Sequence, residues 1–133
     1  MREQPRTVDS MVMRCLPLLL LLIACDGFTA PSDARPYQPP PEFTGLWWRM
    51  EQCSGLSGDF ARVHWFITDG DLQLDGKSRA GVWVSPHNVY MLESYAIDAY
   101  RDYVAVRHEM LHDLTQSGEH GPVFTICDAL NVN

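Results

Sequence analysis

The sequence predicts one small α+β domain, in which a short antiparallel or mixed sheet is followed by a helix and a C-terminal return loop. The chain has 133 residues, enough for a single domain. Its hydrophobic fraction of 46% is that of a globular protein. Segments with the period of a strand precede a segment with the period of a helix. The formal net charge of -7, with no basic cluster, argues against nucleic acid as a partner.

Four short strands are predicted ahead of the helix. Val63, Trp65 and Ile67 alternate with polar neighbours, which is the period of a half-buried strand. Asp-Gly pairs mark turns between the later segments. The predicted strands are residues 62–68, 72–74, 81–84 and 89–93.

The predicted helix follows the last strand. Apolar residues recur every four positions from Val106, so they form one buried stripe. Asp98 or Asp102 is expected to cap the beginning of the helix, and Gly118 is expected to end it.

Residues 1–24 have the form of a secretory signal. Arg14 precedes the apolar residues 16–24, a stretch too short for an ordinary membrane-spanning helix. An ordinary signal peptide, cleaved near Ala24 or Ala30, remains the alternative to the lipoprotein signal described next.

Residues 22–25, Leu-Ile-Ala-Cys, resemble the lipobox of bacterial lipoproteins. The resemblance implies that Cys25 is lipidated and that the exported protein is anchored in a membrane of the bacterial envelope. Residues 25–45 are rich in proline and are predicted to be the tether. Met11 or Met13 is an alternative start of translation.

The folded domain is predicted to be residues 46–133. Cys15 leaves with the signal and Cys25 carries lipid, so Cys53 and Cys127 remain in an oxidising compartment. We therefore predict a disulfide between them.

The most informative motif is His-Glu-Met-Leu-His at residues 108–112. On a helix, His108 and His112 lie on the same face and can share one metal ion. Glu109 is then able to reach a water at that metal. Two imidazole ligands and a neighbouring carboxylate base are what a zinc hydrolase requires.

A third metal ligand is expected from the end of the chain. His120 is the first choice, because residues 115–119 are long enough to turn back over the end of the helix. Glu119 is the second choice and Asp128 the third. His64 and His87 are expected to be surface or loop histidines.

Here the residues carry a resemblance to a family. Residues 106–112, followed by Gly118, residues 120–122 and Phe124, resemble the active-site segment of small zincin-type zinc metallopeptidases. The metzincins have their third histidine six positions after the second, whereas here the step is eight. The resemblance implies a zincin-like domain that hydrolyses a peptide or protein substrate. It also implies Zn²⁺ held by His108, His112 and His120, with Glu109 as the base.

Further residues are expected around such a site. Residues 89–93 are the candidate edge strand along which a substrate would lie. Asp113 either orients a ligand imidazole or is a solvated helical acid. The candidates for oxyanion stabilisation are Tyr90, Tyr95, Tyr100 and Tyr103.

Two other interpretations of the motif stay open. In the first, the protein is a non-catalytic lipoprotein in which zinc stabilises a binding or structural module. In the second, the histidines bind no metal and the motif arises by chance. Glu109 favours the enzyme, because a structural zinc site does not need a carboxylate between its ligands.

Overall fold

The computed structural model describes residues 27–129, which form a small α+β fold with a mixed sheet and several helices, as predicted. The strands are β1 (Arg35–Pro36), β2 (His64–Thr68), β3 (Gln73–Leu74), β4 (Lys77–Ser78), β5 (Gly81–Val84) and β6 (Asn88–Leu92). The helices are α1 (Glu42–Ser54), α2 (Glu93–Ala96), α3 (Val104–Thr115) and α4 (Pro122–Ile126). Short 3-10 turns cover Phe60–Arg62 and Ala99–Arg101.

The signal peptide predicted for residues 1–24 and the lipidated Cys25 lie outside the described residues. Within residues 27–129, no helix is both long and apolar enough to cross a membrane.

The fold begins before the predicted boundary at residue 46. β1 pairs with β2, and α1 already contributes the fully buried Phe43 to the core. Pro36 is tolerated because β1 is an edge strand. Pro41 is tolerated at the start of α1, where the first N–H groups of a helix have no intrahelical partner. The prolines that suggested a tether over residues 25–45 therefore belong to the fold from β1 onwards.

The main sheet has the strand order β1-β2-β6-β5. β6 is parallel to β2 and antiparallel to β5, so it is an interior strand. The expectation that residues 89–93 form the edge strand is wrong. Val89 and Met91 of β6 are both fully buried, and an interior position provides that burial. β5 is the edge strand next to the helix.

Helix α3 is the centre of the fold, because every residue from 105 to 114 is buried. The buried residues of α1 that join the same core are Phe43, Leu46, Trp47 and Met50. Their spacing of three and four residues puts them on one face of α1. The polar residues of α3 are as buried as its apolar stripe, so they must satisfy their charges and hydrogen bonds inside the protein.

The ends of α3 differ from the sequence prediction. The residue before it, Tyr103, has a left-handed backbone and makes no side-chain cap. Asp98 caps the preceding 3-10 turn instead, by accepting from the backbone N–H of Arg101. Gln116, with φ of 51°, ends the helix two residues before Gly118. Asp102 and Gly118 thus lie one and two residues outside the observed end residues, Tyr103 and Gln116.

The predicted disulfide between Cys53 and Cys127 is present. It joins the last turn of α1 to the residue after α4, with a Cα–Cα distance of 5.7 Å. The bridge spans 74 positions of sequence. It therefore fixes the C-terminal segment to the first helix of the domain.

Candidate metal centre

Three histidines converge at the C-terminal half of α3. His108 and His112 come from the helix, and His120 comes from the return loop, which we define as residues 116–121. The Nε2 atom of His108 lies 3.2 Å from Nε2 of His112 and 3.0 Å from Nε2 of His120. One nitrogen from each ring lies within 4.8 Å of the other two. The three histidines can hold a metal ion.

The protonation of the two helical histidines follows from their partners. Nδ1 of His112 donates to the carbonyl of Ser117 at 2.7 Å, and Nδ1 of His108 donates to the carbonyl of Ala129. A carbonyl oxygen only accepts, so Nδ1 carries the proton and each neutral ring has its lone pair on Nε2. Burial lowers the pKa of both imidazoles to about 4, so both are neutral at pH 7. Two lone pairs 3.2 Å apart repel each other unless a cation lies between them.

Arg107 restrains the two residues that precede the carbonyl orienting His108. This buried guanidinium donates from Nη1 to the carbonyls of Cys127 and Asp128, each at 3.2 Å. The next residue is Ala129, which accepts from His108. The disulfide at Cys127 restrains the same segment. A chain of contacts therefore connects the disulfide to the orientation of one histidine.

The return loop brings His120 to the cluster. The left-handed Gln116 reverses the chain, and α4 starts at Pro122, a residue suited to a first helical position. The ring of Phe124 in α4 lies 4.7 to 5.1 Å from the centroids of the three imidazoles. This fully buried ring forms an apolar floor under the cluster. Among the predicted third ligands, the structure brings His120 into the cluster.

Glu119 and Asp128, the other two candidates for the third ligand, are not in the group. Both are exposed, and Glu119 directs its backbone N–H to the hydroxyl of Ser117.

Glu109 lies beside the cluster in a buried position with 4% of its surface exposed. Burial raises the pKa of its carboxyl to about 8, while the backbone N–H of Trp83 and the charge of Arg79 act in the opposite direction. A cation at the histidine cluster would lower this pKa further. The carboxylate fits because residue 81 is glycine. A Cβ there would lie 2.7 Å from Cγ of Glu109 and 2.8 Å from Oε1.

A cavity of about 320 Å³ opens in front of the histidines and Glu109. β5 forms one wall, and another is formed by Leu74, Asp75, Arg79 and Ala80. No tyrosine is among the described residues that line it, so the expected tyrosine oxyanion ligands are not at the site. Tyr103, for example, packs in the core against Phe43. Arg79 is the cationic side chain of the wall.

Asp113 has a different role from both predicted ones. Its buried carboxylate accepts from the indole N–H of Trp83 at 3.0 Å and contacts Nδ1 of His87 at 3.1 Å. The Trp83 ring lies nearly parallel to the imidazole of His112, with centroids 6.3 Å apart. Asp113 therefore ties β5 and the following turn to α3. His87 is in a turn, as expected, but is partly buried by this contact, whereas His64 is exposed on β2.

Sequence reasoning missed several residues that shape the site. They are Arg79, Gly81, Trp83 and Arg107, together with the backbone carbonyl of Ala129. The sequence contained no signal for the carbonyl, because any residue type supplies one. The role of Gly81 depends on a neighbour 28 positions away.

The chain was also compared with known proteins. No family model matches it, and no curated protein or solved structure shows a significant match.

Proposed function

We propose that this protein is a zinc-dependent hydrolase of peptide bonds, exported and held at a membrane by lipid on Cys25. The observation that carries the enzymatic part is the convergence of three Nε2 atoms beside a buried carboxylate, at the end of an open cavity. The lipid anchor depends on the lipobox-like residues 22–25 alone. The resemblance to zincins supports the same chemistry.

The distances between the nitrogens support zinc as the metal. Zinc–nitrogen bonds of about 2.0–2.1 Å at tetrahedral angles separate the nitrogens by about 3.3 Å. The two separations from His108, 3.0 and 3.2 Å, are close to that value. All three ligand nitrogens lie within 4.8 Å of one another, so small side-chain rotations would bring the third pair to the same separation. Three nitrogen ligands leave the fourth tetrahedral position for water or substrate, as in catalytic zinc sites. When bound, zinc supplies Lewis-acid polarisation of a carbonyl and acidifies water.

In the proposed reaction, Glu109 is the general base. It accepts a proton from the attacking water and passes that proton to the leaving amine. The backbone N–H of Trp83 favours the ionised form of the carboxyl group. Burial of the carboxylate keeps it poorly hydrated, so it is a stronger base than a solvated glutamate.

The edge of β5 is the proposed position of the substrate backbone. Leu92 donates to the carbonyl of Ala80 at 2.9 Å, so the peptide groups of Ala80 face β6. In an antiparallel pair, the next positions, Gly81 and Trp83, direct their N–H and carbonyl groups to the opposite edge. That edge borders the cavity. The N–H of Trp83 faces Glu109. An extended peptide would therefore pair with Gly81 and with the carbonyl of Trp83 as a further strand.

The test compares zinc content and peptide hydrolysis in purified native protein and three variants. We expect Glu109→Gln to retain one zinc and lose at least about 100-fold in activity. His120→Ala should lose zinc as well as activity. The control is His64→Ala, an exposed histidine outside the cluster, which should change neither quantity. Native protein without stoichiometric zinc would refute the proposal. Full activity in Glu109→Gln would refute the role of the base.

The lipid anchor has its own test. Cells that express the native chain or Cys25→Ser are labelled with radioactive palmitate. We expect label and membrane association for the native chain alone, and unlabelled native protein would contradict the anchor.

A further inference from the structure

Arg79 has no carboxylate partner within the described part of the chain. Four of the six arginines of residues 27–129 form ion pairs with carboxylates: Arg35, Arg49, Arg101 and Arg107. Arg62 forms none and is exposed to solvent. Arg79 forms none within 4.0 Å, although the chain is acidic, with 17 Asp and Glu against 10 Lys and Arg. A guanidinium in a wall of the cavity that is left without an anion is available to a ligand.

The position of Arg79 is fixed by the backbone around it. Its N–H donates to the carbonyl of Leu72 at 2.7 Å, and β5 begins two residues later. The side chain is half-buried and lines the same cavity as the histidines. It is close enough to influence the charges of Glu109 and His108. The guanidinium therefore faces the place where a substrate would be bound.

Asp75 is the neighbouring acid on the wall, and it forms no ion pair with Arg79 within 4.0 Å. It lies in the turn between β3 and β4, and its carboxylate is against the backbone of Gly27. Among the described residues that line the cavity, Arg79 is thus the one arginine or lysine, and it forms no ion pair within 4.0 Å. A guanidinium binds a carboxylate through two parallel hydrogen bonds, which a neutral amide cannot form.

We propose that Arg79 binds a carboxylate of the substrate, so that the enzyme prefers peptides with a carboxylate next to the bond that is hydrolysed. The inference rests on the proposed zinc peptidase function and names its substrate class. The carboxylate can be the C-terminus of a peptide or the side chain of Asp or Glu. Both sources present the same group to the guanidinium.

The test measures equilibrium binding of three thiol probes to the zinc-loaded full chain. Mercaptoacetyl-alanine has a terminal carboxylate, and mercaptoacetyl-alanine amide is its neutral counterpart. The third probe, the C-terminal amide of mercaptoacetyl-aspartic acid, has its free carboxylate on the side chain. We expect at least one carboxylate probe to bind about 10–100-fold more tightly than the neutral amide. The tighter of the two acidic probes identifies the source of the carboxylate.

Two variants assign this preference to Arg79. Arg79→Gln should abolish it and leave the affinity of the neutral probe unchanged, whereas Arg79→Lys should retain part of it. Lys77→Gln removes an equal charge from an exposed position two residues away and should keep the full preference. Zinc content and circular dichroism establish that each variant is folded and loaded.

The outcomes separate the two proposals. If the neutral probe binds and the acidic probes bind no better, or if Arg79→Gln keeps the preference, the inference about Arg79 is wrong while the zinc site stands. An equal loss of kcat for acidic and neutral peptides in Arg79→Gln, with no binding preference, would assign Arg79 to oxyanion stabilisation instead. If the native chain holds no zinc and binds no probe, the proposed function itself fails.

Discussion

The substitution Gly81→Ala tests the placement of Glu109 most directly. The added Cβ would lie 2.7 Å from Cγ of Glu109, 2.8 Å from its Oε1 and 2.7 Å from Sδ of Met91. Ordinary contacts between such atoms are about 3.5–4.0 Å, so the new methyl is too close by about 1 Å. Met91 is fully buried in β6 and has little room to move. The carboxylate must therefore be displaced.

The expected consequence is a large loss of activity with retention of zinc. A misplacement of a catalytic group by about 1 Å costs on the order of 100-fold in rate. Overpacking a buried site costs about 1–3 kcal/mol of stability. The three nearest atoms to the new methyl belong to Glu109 and Met91, not to the histidines, so zinc content should stay at one per chain. The measurements are kcat/KM, zinc by mass spectrometry and urea denaturation.

The matched control is Gly45→Ala in α1. A Cβ there has nothing within 4 Å, so this variant should keep full activity and gain about 0.5–1 kcal/mol of folding stability from its helical position.

A double-mutant cycle with Glu109→Ala completes the test of Gly81→Ala. The stability cost of Gly81→Ala should decrease when the glutamate side chain is absent. Strictly additive costs, or native activity in Gly81→Ala, would refute the reasoning.

Further predictions concern the pH dependence of the zinc-free protein and the role of the disulfide. The pKa values of His108 and His112 are lowered to about 4, so their contribution to folding stability is present above the unfolded pKa of about 6.5 and is lost as pH falls. The pKa of Glu109 is raised to about 8, so its contribution to folding stability is lost as pH rises. Thermal unfolding of the zinc-free protein should therefore show maximum stability near pH 6.5. A stability curve that keeps rising to pH 8 would contradict the burial of Glu109. Replacing Cys53 and Cys127 by serine should cost about 4 kcal/mol in urea denaturation, because the bridge closes a loop of 74 positions. The same pair of substitutions should weaken zinc binding, and an unchanged zinc Kd would show that the C-terminal segment is held without the disulfide.

Several features of the fold were predictable because they depend on local periodicity. The alternation around Trp65 predicts β2, and the spacing of apolar residues from Val106 predicts α3. The step of four from His108 to His112 places both on one face of that helix. The number of cysteines left after the signal predicts the disulfide. The ends of α3 were not predictable, because left-handed residues such as Gln116 end the helix without a glycine.

The choice of edge strand could not be read from the sequence either. β6 and β5 are similar short apolar segments, and the pairing of β6 with the distant β2 decides which of them is interior. Proline also misled the prediction of the boundary, since an edge strand and a tether tolerate it equally well.

For the site, the sequence by itself determined the chemical groups and their spacing along one helix: two imidazoles, a carboxylate between them and a further histidine eight positions later. The tertiary structure decided which of His120, Glu119 and Asp128 joins them. It also decided that Asp113 ties Trp83 to the helix, that Gly81 makes room for Glu109, and that the carbonyl of Ala129 orients His108. The physical reason is that helical spacing is set by bonds between near neighbours, whereas the direction of a lone pair and the space around a carboxylate are set by packing between distant segments.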